Sequence, residues 1–167
     1  ACAAGGHELE HPYRLFDLAL VECAAGNLDA AAAAARRGTE EAIDSENRDI
    51  EGWLLYPHAL VAAWRGHPEE ARGHAQRLLG WVGRSGDRVG RAQALSVLGL
   101  VALSEGNVSE AADRLDAAAR LVVEMGVGNP AALPAMPDAV VALAQAGKAT
   151  RAASLAAWLQ ERVDALD

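Results

Sequence analysis

Gly26-Asn27-Leu28-Asp29-Ala30-Ala31 is the first of four copies of one turn. The others are Gly66-His67-Pro68-Glu69-Glu70-Ala71, Gly106-Asn107-Val108-Ser109-Glu110-Ala111 and Gly147-Lys148-Ala149-Thr150-Arg151-Ala152. Successive glycines stand 40, 40 and 41 residues apart, and an alanine follows each at the fifth position. A fixed period of this length marks stacked helical hairpins, because one hairpin cannot bury its apolar face alone and the next copy must cover it. The expected fold is all-α: a right-handed superhelical array of about four antiparallel hairpins with a repeat of about 40 residues. The repeats run 12–48, 49–86, 87–127 and 128–167, forming one domain, with 1–11 as a linker or the frayed end of an earlier helix.

Between the turns, apolar residues recur at three- and four-residue steps. Leu15, Leu18, Ala19 and Val21 lead up to Gly26, with Pro12 placed to open that helix. The second helix, from Leu28 to about Ser45, is alanine-rich, which favours helix and permits close approach of a neighbour. In the second repeat, Pro57 must kink or restart the first helix, since proline removes a backbone donor. Pro68 with Glu69 and Glu70 opens the next helix, which continues to about Arg84. Helices over about 88–105 and 108–125 follow, then a linker, "GVGNPAALPAMP" at 126–137, that cannot be one helix and has room for a short turn near Ala131. Two last helices are expected over about 137–146 and 149–164. A start without Met and an end without a polar capping helix suggest a piece of a longer protein.

Aligned on the glycines, the seventh residue before each turn is Ala19, Ala59, Gly99 or Val140, and the eleventh is Leu15, Leu55, Leu95 or Met136. The ninth after each turn is Ala35, Ala75, Leu115 or Ala156. Small residues facing small or large ones across a hairpin in this way resemble the tetratricopeptide repeat, lengthened by longer second helices. Two departures stand out: the aromatic favoured four residues before the turn is here Glu22, Ala62, Ala102 or Leu143, and the terminal proline is missing. The resemblance implies that the first helix of each hairpin lines an inner face. Transferred by the turn alignment, that face comprises Tyr13, Phe16, Leu20, Trp53, Tyr56, Leu60, Trp64, Gln93, Ser96 and Leu100. It holds five of the chain's seven aromatic residues. Two readings follow: the rings pack between repeats, or they line an apolar groove for a peptide, a small-molecule effector or another domain. The lysine and asparagine pattern of carboxylate-clamp repeats is absent, which disfavours acidic C-terminal peptides.

Residues 133–166, "LPAMPDAVVALAQAGKATRAASLAAWLQERVDAL", resemble the late part of the helical-repeat region of large LuxR-type transcriptional regulators of actinobacteria. The shared feature is a proline-flanked helix led by aspartate. The resemblance implies a parent chain with an ATPase before the repeats and a helix-turn-helix after them.

The 167 residues are 51% hydrophobic, enough for an ordinary core. With a formal charge of −8 and 15 scattered Lys and Arg, the chain lacks the basic patch that nucleic-acid binding requires. Cys2 and Cys23 have no metal-like spacing and suggest neither a disulfide framework nor a zinc ribbon, which suits a reducing cytoplasm. No window approaches the roughly 18 apolar residues of a membrane span.

Motifs that carry chemistry are scarce. His7-Glu8-Leu9-Glu10-His11 has the H-E-x-x-H spacing that places two imidazoles and a general base on one helical face. Pro12 biases His11 away from helical geometry, and no third-ligand motif follows, so a zinc hydrolase is a remote alternative. Gly126-Val127-Gly128-Asn129-Pro130-Ala131 follows a helix rather than a strand, against a dinucleotide fingerprint. Gly147-Lys148-Ala149-Thr150 resembles the end of a P-loop, but Ala142 stands where the motif needs its first glycine. No serine has a histidine at nucleophile-elbow spacing. His58, His67 and His74 share one repeat, where a metal or pH-sensing site competes with ordinary surface and packing roles. The expected protein is non-catalytic and without cofactor or metal: an interaction or effector-sensing module that binds a partner or the flanking domains. The alternative is a scaffold that self-associates, for instance as a homodimer, through its small-residue faces.

Overall fold

The computed structural model describes residues 5–127 and 134–165, with side chains from residue 11 onward. The chain divides into two compact units, Ala1–Arg84 and Ser85–Asp167. The first holds α1 (Gly5–Ala24), α2 (Leu28–Asp44), α3 (Arg48–Trp53), α4 (Leu55–Trp64) and α5 (Pro68–Ser85). The second holds α6 (Arg88–Ser104), α7 (Val108–Glu124), α8 (Met136–Gln145) and α9 (Ala149–Asp164). The described residues are helical and include no strand, and within each unit helices pack against their chain neighbours. The short turn expected near Ala131 lies outside the described residues.

Each expected turn glycine adopts a left-handed conformation, with φ of 79° at Gly26, 74° at Gly66, 76° at Gly106 and 74° at Gly147. That geometry lets the chain close the preceding helix with paired backbone bonds. At the first turn, Asn27 N–H donates to the Glu22 carbonyl at 2.9 Å and Gly26 N–H to the Cys23 carbonyl at 3.0 Å. The same pair of bonds recurs at Gly66, Gly106 and Gly147, and also at Gly126 and Glu46. The device therefore ends helices on both sides of the hairpin. Asn47, Asp87 and Asn107 then open the next helix, each accepting a backbone N–H with its side chain.

Glu46 fills this place with φ of 53°, a conformation that costs a side-chain-bearing residue. Glu46→Gly relieves the strain but adds chain entropy to the unfolded state. The expected net gain is about 0.5–1 kcal/mol, read as a higher urea midpoint for the first unit. An unchanged or lower midpoint would show that Glu46 is not strained.

One local expectation is corrected and one is located more closely. Pro12 does not open a helix: α1 runs from Gly5 through it, so residues 5–11 are helical rather than a linker. The ring of Pro12 is fully buried, and burying it in the packed face outweighs the lost backbone bond. The restart expected at Pro57 is present, with the break falling just before it. Its ring would meet the carbonyl four residues earlier, on Trp53, and the helix ends there; Pro57 then sits in the first turn of α4, where no donor is needed.

The alanine five residues after each turn is buried in all four copies: Ala31, Ala71, Ala111 and Ala152. Ala19 and Ala35 join one apolar cluster, as the seventh-before and ninth-after alignment implies. In the fourth copy the register moves by one residue: Ala139 and Leu155 are buried, Val140 is half-buried and Ala156 is exposed. Leu18 and Val21 also differ from expectation, since they face solvent while Leu15 and Ala19 take the core side of α1.

Candidate interaction surface

Three of the ten residues expected on the inner face meet through their rings. Tyr13 of α1 stands edge-on to Trp53 of α3, centroids 6.0 Å apart at 88°, and Phe16 tilts against the same indole at 6.1 Å. This edge-to-face arrangement suits the quadrupoles of aromatic rings. Tyr13 and Trp53 remain 38% and 36% exposed, so the cluster is shared between packing and surface. Phe16 also packs against buried Ala42, Ile50 and Leu54, which anchors the cluster to the core.

Helix α3 is placed for this by its own sequence. Asn47 accepts the Ile50 N–H at its start, Pro57 enforces its end, and Gly52 lets it lie flush on Trp81 of α5. A Cβ built on Gly52 would come within 2.4 Å of the Trp81 ring. Trp53, the next residue, is thereby held at the surface beside α1.

The other candidates behave differently. Tyr56 and Leu60 on α4 are fully buried, so they belong to the core and not to an open face. Leu20 is half-buried, and Trp64 lies exposed at the end of α4. In the second unit, Gln93 and Ser96 are buried, with the Ser96 hydroxyl donating to the Gln93 carbonyl, and Leu100 is half-buried. The surface is thus narrower than the alignment implied, because α4 and α6 bury two faces where α1 buries one. Trp81, which the alignment passed over, supports the cluster from behind; its signal in the sequence was only a glycine at position 52.

Among the described residues, no group of three or more His, Cys, Asp or Glu is arranged to hold a metal ion. His11 pairs with Glu41 of α2, and Arg37 donates to the same carboxylate at 2.9 Å. Burial opposes the charge on Glu41, but these two partners hold its carboxyl below the ordinary range. The side chains of His7 and Glu8 lie outside the described set, so the remainder of that motif has no structural account. An open polar depression of about 640 Å³ is lined by Ile43, Glu46, Arg48 and Glu51.

The second unit carries a buried carboxylate. Asp116 of α7 accepts from Arg151 of α9 at 2.6 Å and from Arg120 at 3.0 Å. Burial would raise its pKa, yet the two guanidinium groups lower it on balance. Its contribution to stability is therefore present above the ordinary aspartate range and is lost only as pH falls through its lowered folded value. Both arginines are spent on the ion pair, which makes this a structural tie between α7 and α9. Cys23 is a buried thiol whose pKa is pushed up to about 11 by burial, unsuited to nucleophilic work.

No family model and no curated protein matches this chain. No helix among the described residues is long and apolar enough to cross a membrane.

Proposed function

We propose that this protein is a non-catalytic, tetratricopeptide-like interaction or effector-sensing module of a cytoplasmic LuxR-type transcriptional regulator. Support for the repeat class comes from the recurring left-handed turns and the buried alanine that follows each of four. Support for the regulator comes from the resemblance of residues 133–166. The array would be superhelical in the parent chain, and a bound partner or effector would act by shifting its restraint on flanking ATPase and DNA-binding domains.

The observation that carries the interaction reading is the half-exposed Tyr13–Trp53–Phe16 cluster. Aromatic side chains offer large contact area at low entropic cost, and residues of this kind dominate binding energy where they are surface-accessible. A cluster needed only for packing would have been covered, as Tyr56 and Leu60 are.

The test is made in the full-length parent regulator. Tyr13→Ala with Trp53→Ala is expected to weaken the response to partner or effector by roughly tenfold or more, since hot-spot truncations cost about 2 kcal/mol or above. Both rings are nearly two-thirds buried, so the midpoint of thermal unfolding should fall by several degrees, and the response is read well below it, on folded protein. A wild-type response from a folded double variant would sink the reading.

A further inference from the structure

Of the three histidines in the second repeat, the fold brings two together. His58 of α4 and His74 of α5 stack their imidazoles, centroids 5.3 Å apart and planes 19° from parallel. His67 stays exposed, near Glu70. The surroundings of the pair fix its protons. Thr39 of α2 donates its one hydroxyl hydrogen to the Ala35 carbonyl at 3.0 Å, so its oxygen can only accept from His58 Nε2, 3.1 Å away. His58 therefore carries its neutral-state proton on Nε2.

His74 is constrained in the opposite sense. Its Nδ1 is buried without a hydrogen-bond partner, while its Nε2 lies 3.9 Å from Glu70. A bare lone pair is tolerable there, but an imidazolium would place an N–H on Nδ1 with nothing to receive it. A proton on His58 would set a cation against the stacked face of its neighbour. Around the pair, α5 supplies Glu70, which favours a cation, and Arg77, which opposes one; α2 supplies the Thr39 hydroxyl and the Ala35 carbonyl.

We propose that the stacked His58–His74 pair makes the first unit acid-sensitive, holding α5 against its neighbours while both rings are neutral and releasing it when they take up protons. Burial, reinforced by the neighbouring His74, lowers the pKa of His58 to about 4. Burial, reinforced by Arg77, lowers that of His74 as well. An unfolded histidine titrates near 6.5. Stability is accordingly full above about pH 6.5 and drains away as pH falls toward 4, because the unfolded chain accepts protons that the folded chain refuses. His58 alone implies about a twentyfold fall in the folding equilibrium between pH 7 and pH 5. The lowered carboxylates of Glu41 and Asp116 act at still lower pH and leave this window clear. Release of α5 would also withdraw Trp81 from beneath Gly52 and loosen Trp53. That last consequence rests on the interaction reading; the acid response does not.

The experiment is urea unfolding of the 167-residue chain from pH 7.5 to 5, followed by tryptophan emission. Wild type should lose at least about 25-fold in its folding equilibrium over that range, the share of His58 alone. His58→Phe with His74→Phe keeps two stacked rings but cannot titrate, and should lose less than threefold; His67→Gln should behave as wild type. A double variant that tracks wild type would overturn the proposal. Should that variant not fold, imidazole C2–H resonances of the wild type decide it. Two histidines titrating below pH 6 support the proposal, and all of them titrating at 6.5 or above overturns it.

Discussion

Leu115→Ala is expected to destabilise the second unit by about 2–5 kcal/mol, and Gly99→Ala by about 1–3 kcal/mol, although each change adds an alanine to a helix that tolerates it well. The cause is the seam between α6 and α7. A Cβ on Gly99 would lie 2.5 Å from Leu115 Cγ, 2.9 Å from Cδ2 and 3.2 Å from the Leu115 backbone nitrogen. The leucine could swing aside, but the backbone nitrogen moves only if α7 moves. Alanine gains up to about 1 kcal/mol over glycine in helix propensity, which the clash exceeds. Conversely, removing the fully buried Leu115 side chain opposite a glycine leaves a cavity that neither helix can fill.

The pair therefore predicts its own rescue. The first hairpin solves the same contact with Ala19 and Ala35, both fully buried in one cluster. Gly99→Ala with Leu115→Ala copies that solution, so the double variant should be more stable than the sum of the two single losses by at least about 1 kcal/mol. Urea unfolding of all four proteins measures the coupling. Strict additivity would show that the two positions do not share one seam.

This seam also shows what the sequence could tell. The alignment on the turn glycines placed Gly99 opposite Leu115 and Ala19 opposite Ala35 because helix periodicity and a fixed turn determine which positions meet. Helix ends followed from glycine, asparagine and proline chemistry, which is local. Pro12 and Pro57 were harder: whether a proline opens, breaks or rides inside a helix depends on the burial of its ring and on the carbonyl four residues back, and these are tertiary facts. The interaction surface was the least legible part. Tyr13 and Tyr56 were both assigned to one face by the turn alignment, yet one is 38% and the other 1% exposed. Only the number of neighbours covering each helix separates them, and α4 is covered where α1 is open. Likewise the sequence places His58, His67 and His74 in one repeat, but that His74 meets His58 rather than His67 depends on how α4 and α5 pack.

Gly52→Ala is the second large effect expected, about 1–3 kcal/mol of lost stability in the first unit. The added methyl would lie 2.4–2.6 Å from Trp81 Cε2, Cδ2 and Nε1, so the indole must retreat as a whole. Trp81 is only half-buried, which gives it somewhere to go and keeps the cost below that of a clash with backbone. The gain in helix propensity, at most about 1 kcal/mol, offsets part of it. Retreat of the ring exposes it to water, so tryptophan emission should shift to the red in the folded state. In a Trp81→Leu background the same glycine substitution should cost much less, because the smaller side chain leaves space for the methyl. Stability and emission both unchanged in Gly52→Ala would mean that α3 does not rest on Trp81. The same variant separates support from contact at the surface: Trp53 is untouched chemically, so any loss of partner response in Gly52→Ala would arise from its altered seating against α1.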